Sequence, residues 1–182
     1  MSDNELLDSQ TGYRQIWSGM GKTLPLDYSI DKASIIYLET NESILISDAA
    51  AIEKPEYIII TLGIENGVAY CGEQKFKEYY LKLLDALQKS SPASKIILQS
   101  IFPVSDGYEE KNSFITNEKI ERANLWIEEM AEEKGLRYLD TASVLKNKGG
   151  SLNENFNSGD GLHLNKSGYL TVLDYIRAHG YK

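Results

Sequence analysis

Four short aliphatic runs constrain the fold of this chain more than any other feature. They are Ser34-Ile35-Ile36-Tyr37-Leu38, Tyr57-Ile58-Ile59-Ile60-Thr61-Leu62, Lys95-Ile96-Ile97-Leu98-Gln99-Ser100-Ile101 and Leu136-Arg137-Tyr138-Leu139. The first two show no alternation of polarity, the mark of strands buried on both faces. The spacing between successive runs leaves room for a crossover helix each time, which predicts βαβ units and a parallel sheet.

The intervening segments carry helical periodicity. Phe76, Tyr80, Leu83, Leu84 and Leu87 share one face of a segment that ends at Ser90-Ser91-Pro92. Ile120, Ala123, Ile127, Met130 and Ala131 form a second stripe, with Thr116 as its cap, Glu118 in the first turn and Gly135 as its stop. Tyr169, Val172, Leu173 and Ile176 mark a last helix after Asn165, and a shorter one runs from about Ser47 to Lys54-Pro55. A short first strand is expected at Glu5 to Leu7. The longer polar connections, Val104 to Ser113 and Lys146 to Gly159, follow strands or their extensions, where a parallel sheet forms its ligand crevice.

At 182 residues the chain is expected to fold as one domain, residues 1–182. Its net charge of −8, with acidic residues spread along the chain, argues against nucleic acid and anionic membranes as partners. Cys71 is the sole cysteine, so internal disulfides and multi-cysteine metal sites are excluded, and its neighbours supply no activating base. No stretch approaches eighteen apolar residues, and Met1-Ser2-Asp3-Asn4-Glu5 is too acidic to open a signal peptide.

Chemistry concentrates in three places. Asp160-Gly161-Leu162-His163 sets one of only two histidines three residues from a carboxylate, just ahead of the last helix, as a general base with its orienting acid would be. Asp8-Ser9-Gln10-Thr11-Gly12 offers a serine at the mouth of a helix, whose amides and positive end suit a nucleophile. Gly63-Ile64-Glu65-Asn66-Gly67, after the second run, supplies glycines that let backbone approach a ligand and an asparagine able to donate to an oxyanion. No glycine-rich phosphate loop follows the first strand, which counts against a nucleotide-binding module.

Together these blocks resemble the SGNH hydrolases, the GDSL-type esterases and lipases, over essentially the whole chain. Asp8-Ser9 matches the nucleophile block, Gly63 to Asn66 the glycine–asparagine block, and Asp160-x-x-His163 the closing block; Ile97 to Val104 is similar to a strand and loop of bacterial members. The resemblance implies a three-layer α/β/α sandwich around a parallel sheet of about five strands. It also implies Ser9 as nucleophile, His163 as base, Asp160 as orienting acid, and no metal or organic cofactor. The implied substrates are short acyl or acetyl esters, carbohydrate esters among them, and the implied location is outside the cell or at its envelope. The chain departs from the pattern at Leu7, where the family has glycine, and around Lys32 to Ser34, which lacks the family's second glycine. Glu65 occupies the position of the oxyanion asparagine, with Asn66 next to it. Two readings stay open: Asn66 serves in its place, or the site is weakened and the domain binds carbohydrate or protein without turnover. The oligomeric state is not encoded in any of these features.

Overall fold

The computed structural model describes residues 24–37 and 40–180. In chain order the elements are β1 (Ser34–Tyr37), β2 (Glu42–Leu45), α1 (Ile46–Glu53), β3 (Tyr57–Ile60), α2 (Glu73–Ser90), β4 (Lys95–Gln99), the single turn α3 (Asp106–Glu109), α4 (Asn117–Lys134), β5 (Arg137–Leu139) and α5 (Lys166–His179). Strands β3, β4 and β5 form a parallel sheet in that order, with Tyr57 opposite Lys95, Ile60 opposite Leu98, and Ile97 opposite Arg137.

Strand geometry turns this sheet into the middle of three layers. Successive side chains point to opposite faces, and the aliphatic runs consequently feed two separate cores. Ile58, Ile60, Ile96, Leu98 and Tyr138 face one core, and Tyr57, Ile59, Ile97 and Leu139 face the other. Two crossovers of the same hand, stepping the same way along the sheet, put α2 and α4 on one face. The helices touch there, with the Phe76 and Trp126 rings 5.4 Å apart. Val172 and Ile176 of α5 cover the opposite face with Leu145 and Leu152. The expected three-layer α/β/α arrangement is therefore present, with three parallel strands among the described residues in place of about five.

The helical stripes fall where the periodicity places them. Phe76, Tyr80, Leu83, Leu84 and Leu87 are all buried, as are Ile120, Ala123, Ile127, Met130 and Ala131. Thr116 caps α4 by accepting from the Lys119 N–H at 3.3 Å, and Gly135 ends it at φ +63°. Glu128, Glu129, Glu132 and Glu133 lie on its exposed face, where Glu129 pairs with Lys77 at 2.6 Å.

One strand differs from expectation. Ser34 to Tyr37 does not join the parallel sheet; it pairs antiparallel with β2, Ser34 opposite Leu45 and Tyr37 opposite Glu42, with Ile35 its one buried residue. The reason is local: only four residues separate the strands, which suits a hairpin and is too short for a crossover. The strand expected at Glu5 to Leu7 lies outside the described residues.

Beyond β4 the chain leaves the sheet, and α4 holds it with side chains. Asn124 accepts from the Ile101 N–H at 2.7 Å and donates to the Ile101 carbonyl at 3.0 Å. Two helical turns earlier, Asn117 does the same for Val104, at 2.9 Å in both directions. Each carboxamide replaces the ladder partner that a neighbouring strand would have supplied. This clamp aims the segment from Ile101 to Ser105 at the turn that carries the histidine.

Candidate active site

The turn before α5 is built by short polar side chains. Asn157 accepts from the N–H groups of Gly159 and Gly161 at 2.9 and 2.8 Å. Asn165 caps α5 through the Gly168 N–H at 3.0 Å and donates to the carbonyls of Asn155 and Asn157 at 2.9 and 3.1 Å, tying both ends of the turn together. Gly161 sits at φ +81°, and its carbonyl accepts from the Ser105 N–H at 2.9 Å. A Cβ at this position would meet Ser105 Oγ and would stand 2.8 Å from Tyr108 Cβ, so the close approach to α3 requires glycine.

Within this frame Asp160 and His163 meet. His163 Nδ1 lies 2.5 Å from Asp160 Oδ2, while Oδ1 accepts from the backbone N–H groups of Leu162 and His163 at 2.9 and 2.8 Å. Partial burial pushes the Asp160 carboxyl up, but the bonds from the His163 amide, the His163 ring and the Leu162 amide outweigh it and hold the group well below the usual carboxylate range. An ionised carboxylate only accepts, so Nδ1 is the donor in this contact, and in the neutral ring the basic nitrogen is then Nε2. The two side chains are 62% and 50% exposed, which leaves Nε2 open to an incoming group.

The second expected block lies at the carboxyl end of β3. Gly63 takes φ +121°, and a Cβ there would stand 2.8 Å from Phe76 Cζ, so both the conformation and the space call for glycine. Asn66 lies in the left-handed region at φ +60°, whereas Glu65 is extended. The Glu65 carbonyl accepts from the Leu26 N–H at 3.3 Å, and its side chain is exposed. The loop closes on itself through the Val68 N–H and the Gly63 carbonyl at 2.7 Å. Gly63, Glu65, Asn66, Asp160 and His163 therefore all belong to loops at the carboxyl end of the sheet. Ser9 lies outside the described residues.

Sequence reasoning missed the polar support beneath the histidine turn. Ser105 caps α3 by accepting from the Tyr108 N–H at 3.2 Å, Ser151 donates to Asp106, and Asn117 donates to Glu109 at 2.9 Å. A signal was present in the chain: Asn117 and Asn124, seven residues apart, fall among the apolar positions of the α4 stripe. Cys71 is partly buried, and burial pushes its thiol up, in keeping with a structural role.

The family profile of the GDSL-like lipases and acylhydrolases matches residues 17–170, which include the loop at Gly63 and the turn at Asp160. The chain belongs to the GDSL-like Lipase/Acylhydrolase family. Solved structures of similar fold include a GDSL-like lipase from Bacteroides thetaiotaomicron, at 20% identity and TM-score 0.54, covering 72% of this chain and 69% of that one. The periplasmic domain of a lipopolysaccharide acetyltransferase from Salmonella ser. Paratyphi A reaches 17% identity and TM-score 0.57, covering 79% and 66%. A carbohydrate esterase family 3 protein from Talaromyces cellulolyticus reaches 18% and 0.54, covering 72% and 59%. No curated protein matches the chain. The GDSL-like assignment supports ester hydrolysis as the general activity, and among the described residues no helix is long and apolar enough to cross a membrane.

Proposed function

We propose that residues 1–182 form one serine-dependent esterase domain that cleaves short acyl or acetyl esters, carbohydrate esters among them. The observation that carries this reading is the 2.5 Å contact between His163 Nδ1 and an ionised Asp160, which leaves Nε2 as an exposed base. Ser9 Oγ attacks the ester carbonyl and gives its proton to Nε2, and Asp160 stabilises the imidazolium. The tetrahedral oxyanion takes hydrogen bonds from amides beside Ser9 and Gly63 and from Asn66, with Glu65 turned to solvent. His163 then protonates the leaving alcohol. Water, activated by the same base, releases the acid from the acyl-enzyme. No metal or organic cofactor enters these steps. The carbohydrate esterase and lipopolysaccharide acetyltransferase named among the structural relatives support an acetylated sugar as substrate.

The test is hydrolysis of 4-nitrophenyl acetate by the purified full chain. Loss of activity in both Ser9→Ala and His163→Ala is the expected result, and equal rates for wild type and His163→Ala would sink the assignment. The competing reading, a domain that binds carbohydrate or protein without turnover, draws on Glu65 at the oxyanion position. Covalent labelling of Ser9 by a fluorophosphonate would count against it.

A further inference from the structure

Two exposed aromatic rings, on loops next to those of the site, have no role in the chemistry above. Tyr70 is 71% exposed and Phe114 57% exposed, and their ring centroids lie 5.8 Å apart at an interplanar angle of 38°. Tyr70 follows the Gly63 to Val68 loop directly and is tied to it through the neighbouring Cys71 N–H, which donates to the Gly67 carbonyl at 2.8 Å. Phe114 belongs to the segment between α3 and α4. Its N–H donates to Asn112 Oδ1 at 3.1 Å, and Asn112 Nδ2 donates to the hydroxyl of Tyr108 at 3.0 Å. Tyr108 Cβ is the atom against which Gly161 packs. The ring pair thus bridges the loop expected to hold the oxyanion and the loop braced against the histidine turn.

Leaving two large rings this wet forfeits the burial that aromatic side chains ordinarily contribute, and a paired exposure of this kind marks a contact surface. Its shape selects the occupant. A long acyl chain gains most where it is enclosed on all sides, whereas rings this exposed can cover at most one face of a ligand. A pyranose ring has one apolar C–H face and keeps its hydroxyls around the edge, so it can lie on the rings while its polar groups stay in water. The polar side chain of Asn112 beside Phe114 suits the same ligand.

We infer that Tyr70 and Phe114 form a stacking platform for a sugar ring on the alcohol side of the ester. This rests on the esterase reading and narrows it to carbohydrate esters.

The experiment compares 4-nitrophenyl acetate with acetylated methyl xylosides and glucosides, using wild type, Tyr70→Ala, Phe114→Ala and the ring-preserving Tyr70→Phe and Phe114→Trp. The alanine variants should raise KM for the sugar esters about five- to tenfold and leave kcat/KM for 4-nitrophenyl acetate within about twofold, while the ring-preserving variants stay near wild type. Equal losses on both substrates, no loss on either, or no activity of wild type on the sugar esters would overturn the platform. A separate arm titrates the His163→Ala protein with unacetylated methyl xyloside, following the tyrosine ring resonances by NMR. Shifts of the Tyr70 ring that vanish in the His163→Ala, Phe114→Ala protein support the platform, and their absence in the parent overturns it. If His163→Ala leaves ester hydrolysis unchanged, the esterase reading fails while this titration still decides the sugar site.

Discussion

The Asn124 carboxamide satisfies both backbone polar groups of Ile101, accepting at 2.7 Å and donating at 3.0 Å in a buried setting. Asn124→Leu fills similar volume and leaves an N–H and a carbonyl unpaired. The variant should lose about 2–4 kcal/mol of stability by urea denaturation. A loss below about 0.5 kcal/mol would mean that water or a shifted backbone replaces the carboxamide.

Gly63 combines φ +121° with a Phe76 ring atom 2.8 Å from the position of a Cβ. Gly63→Ala should therefore cost about 1–3 kcal/mol. Gly72 caps α2 at φ −76° with nothing within 4 Å of its Cβ position. Gly72→Ala, free of strain and clash, should change stability by less than about 1 kcal/mol, the lower entropy of the unfolded chain offsetting a poorer N-cap, so the pair separates strain from simple loss of glycine.

At Gly161 the cost should appear in rate. The added methyl of Gly161→Ala pushes against Ser105 and Tyr108 and moves the turn that carries His163. Displacement on the scale of 1 Å costs about a hundredfold in catalysis. Steady-state kinetics on 4-nitrophenyl acetate should show that fall mainly in kcat, and an unchanged kcat would detach Gly161 from the positioning of His163.

The Asp160 carboxyl is held below its usual range in the folded protein, so folding favours its ionised form. Its contribution to stability is fully present above the unfolded-state pKa of about 4 and is lost as pH falls below it. The difference in Tm between wild type and Asp160→Asn should be largest at pH 6–7 and shrink toward pH 3, which thermal denaturation across that window measures. A gap independent of pH would assign the residue's effect to hydrogen bonding alone.

Much of this molecule is written in local pattern. The stripe from Phe76 to Leu87, the Thr116 cap and the Gly135 stop depend on neighbours within a turn or two of helix, so periodicity and capping chemistry reveal them. The pairing of Asp160 with His163 is legible for the same reason, because three residues and a glycine set their distance. The run at Ser34 misled, since an aliphatic segment of that length fits an antiparallel hairpin as well as a parallel sheet, and the short link to Glu42 carried the decisive information.

By itself the sequence determined the alternation of strand and helix, the two-faced burial of β3 and β4, and the pairing of Asp160 with His163 in the closing turn. These follow from side-chain period and short-range geometry. Only the tertiary structure decided that Asn117 and Asn124 would stand in for a strand, that α3 would brace Gly161, and that the rings of Tyr70 and Phe114 would meet. Each joins residues from separate loops or elements, and their distance is set by how helices pack on the sheet, which no local pattern encodes.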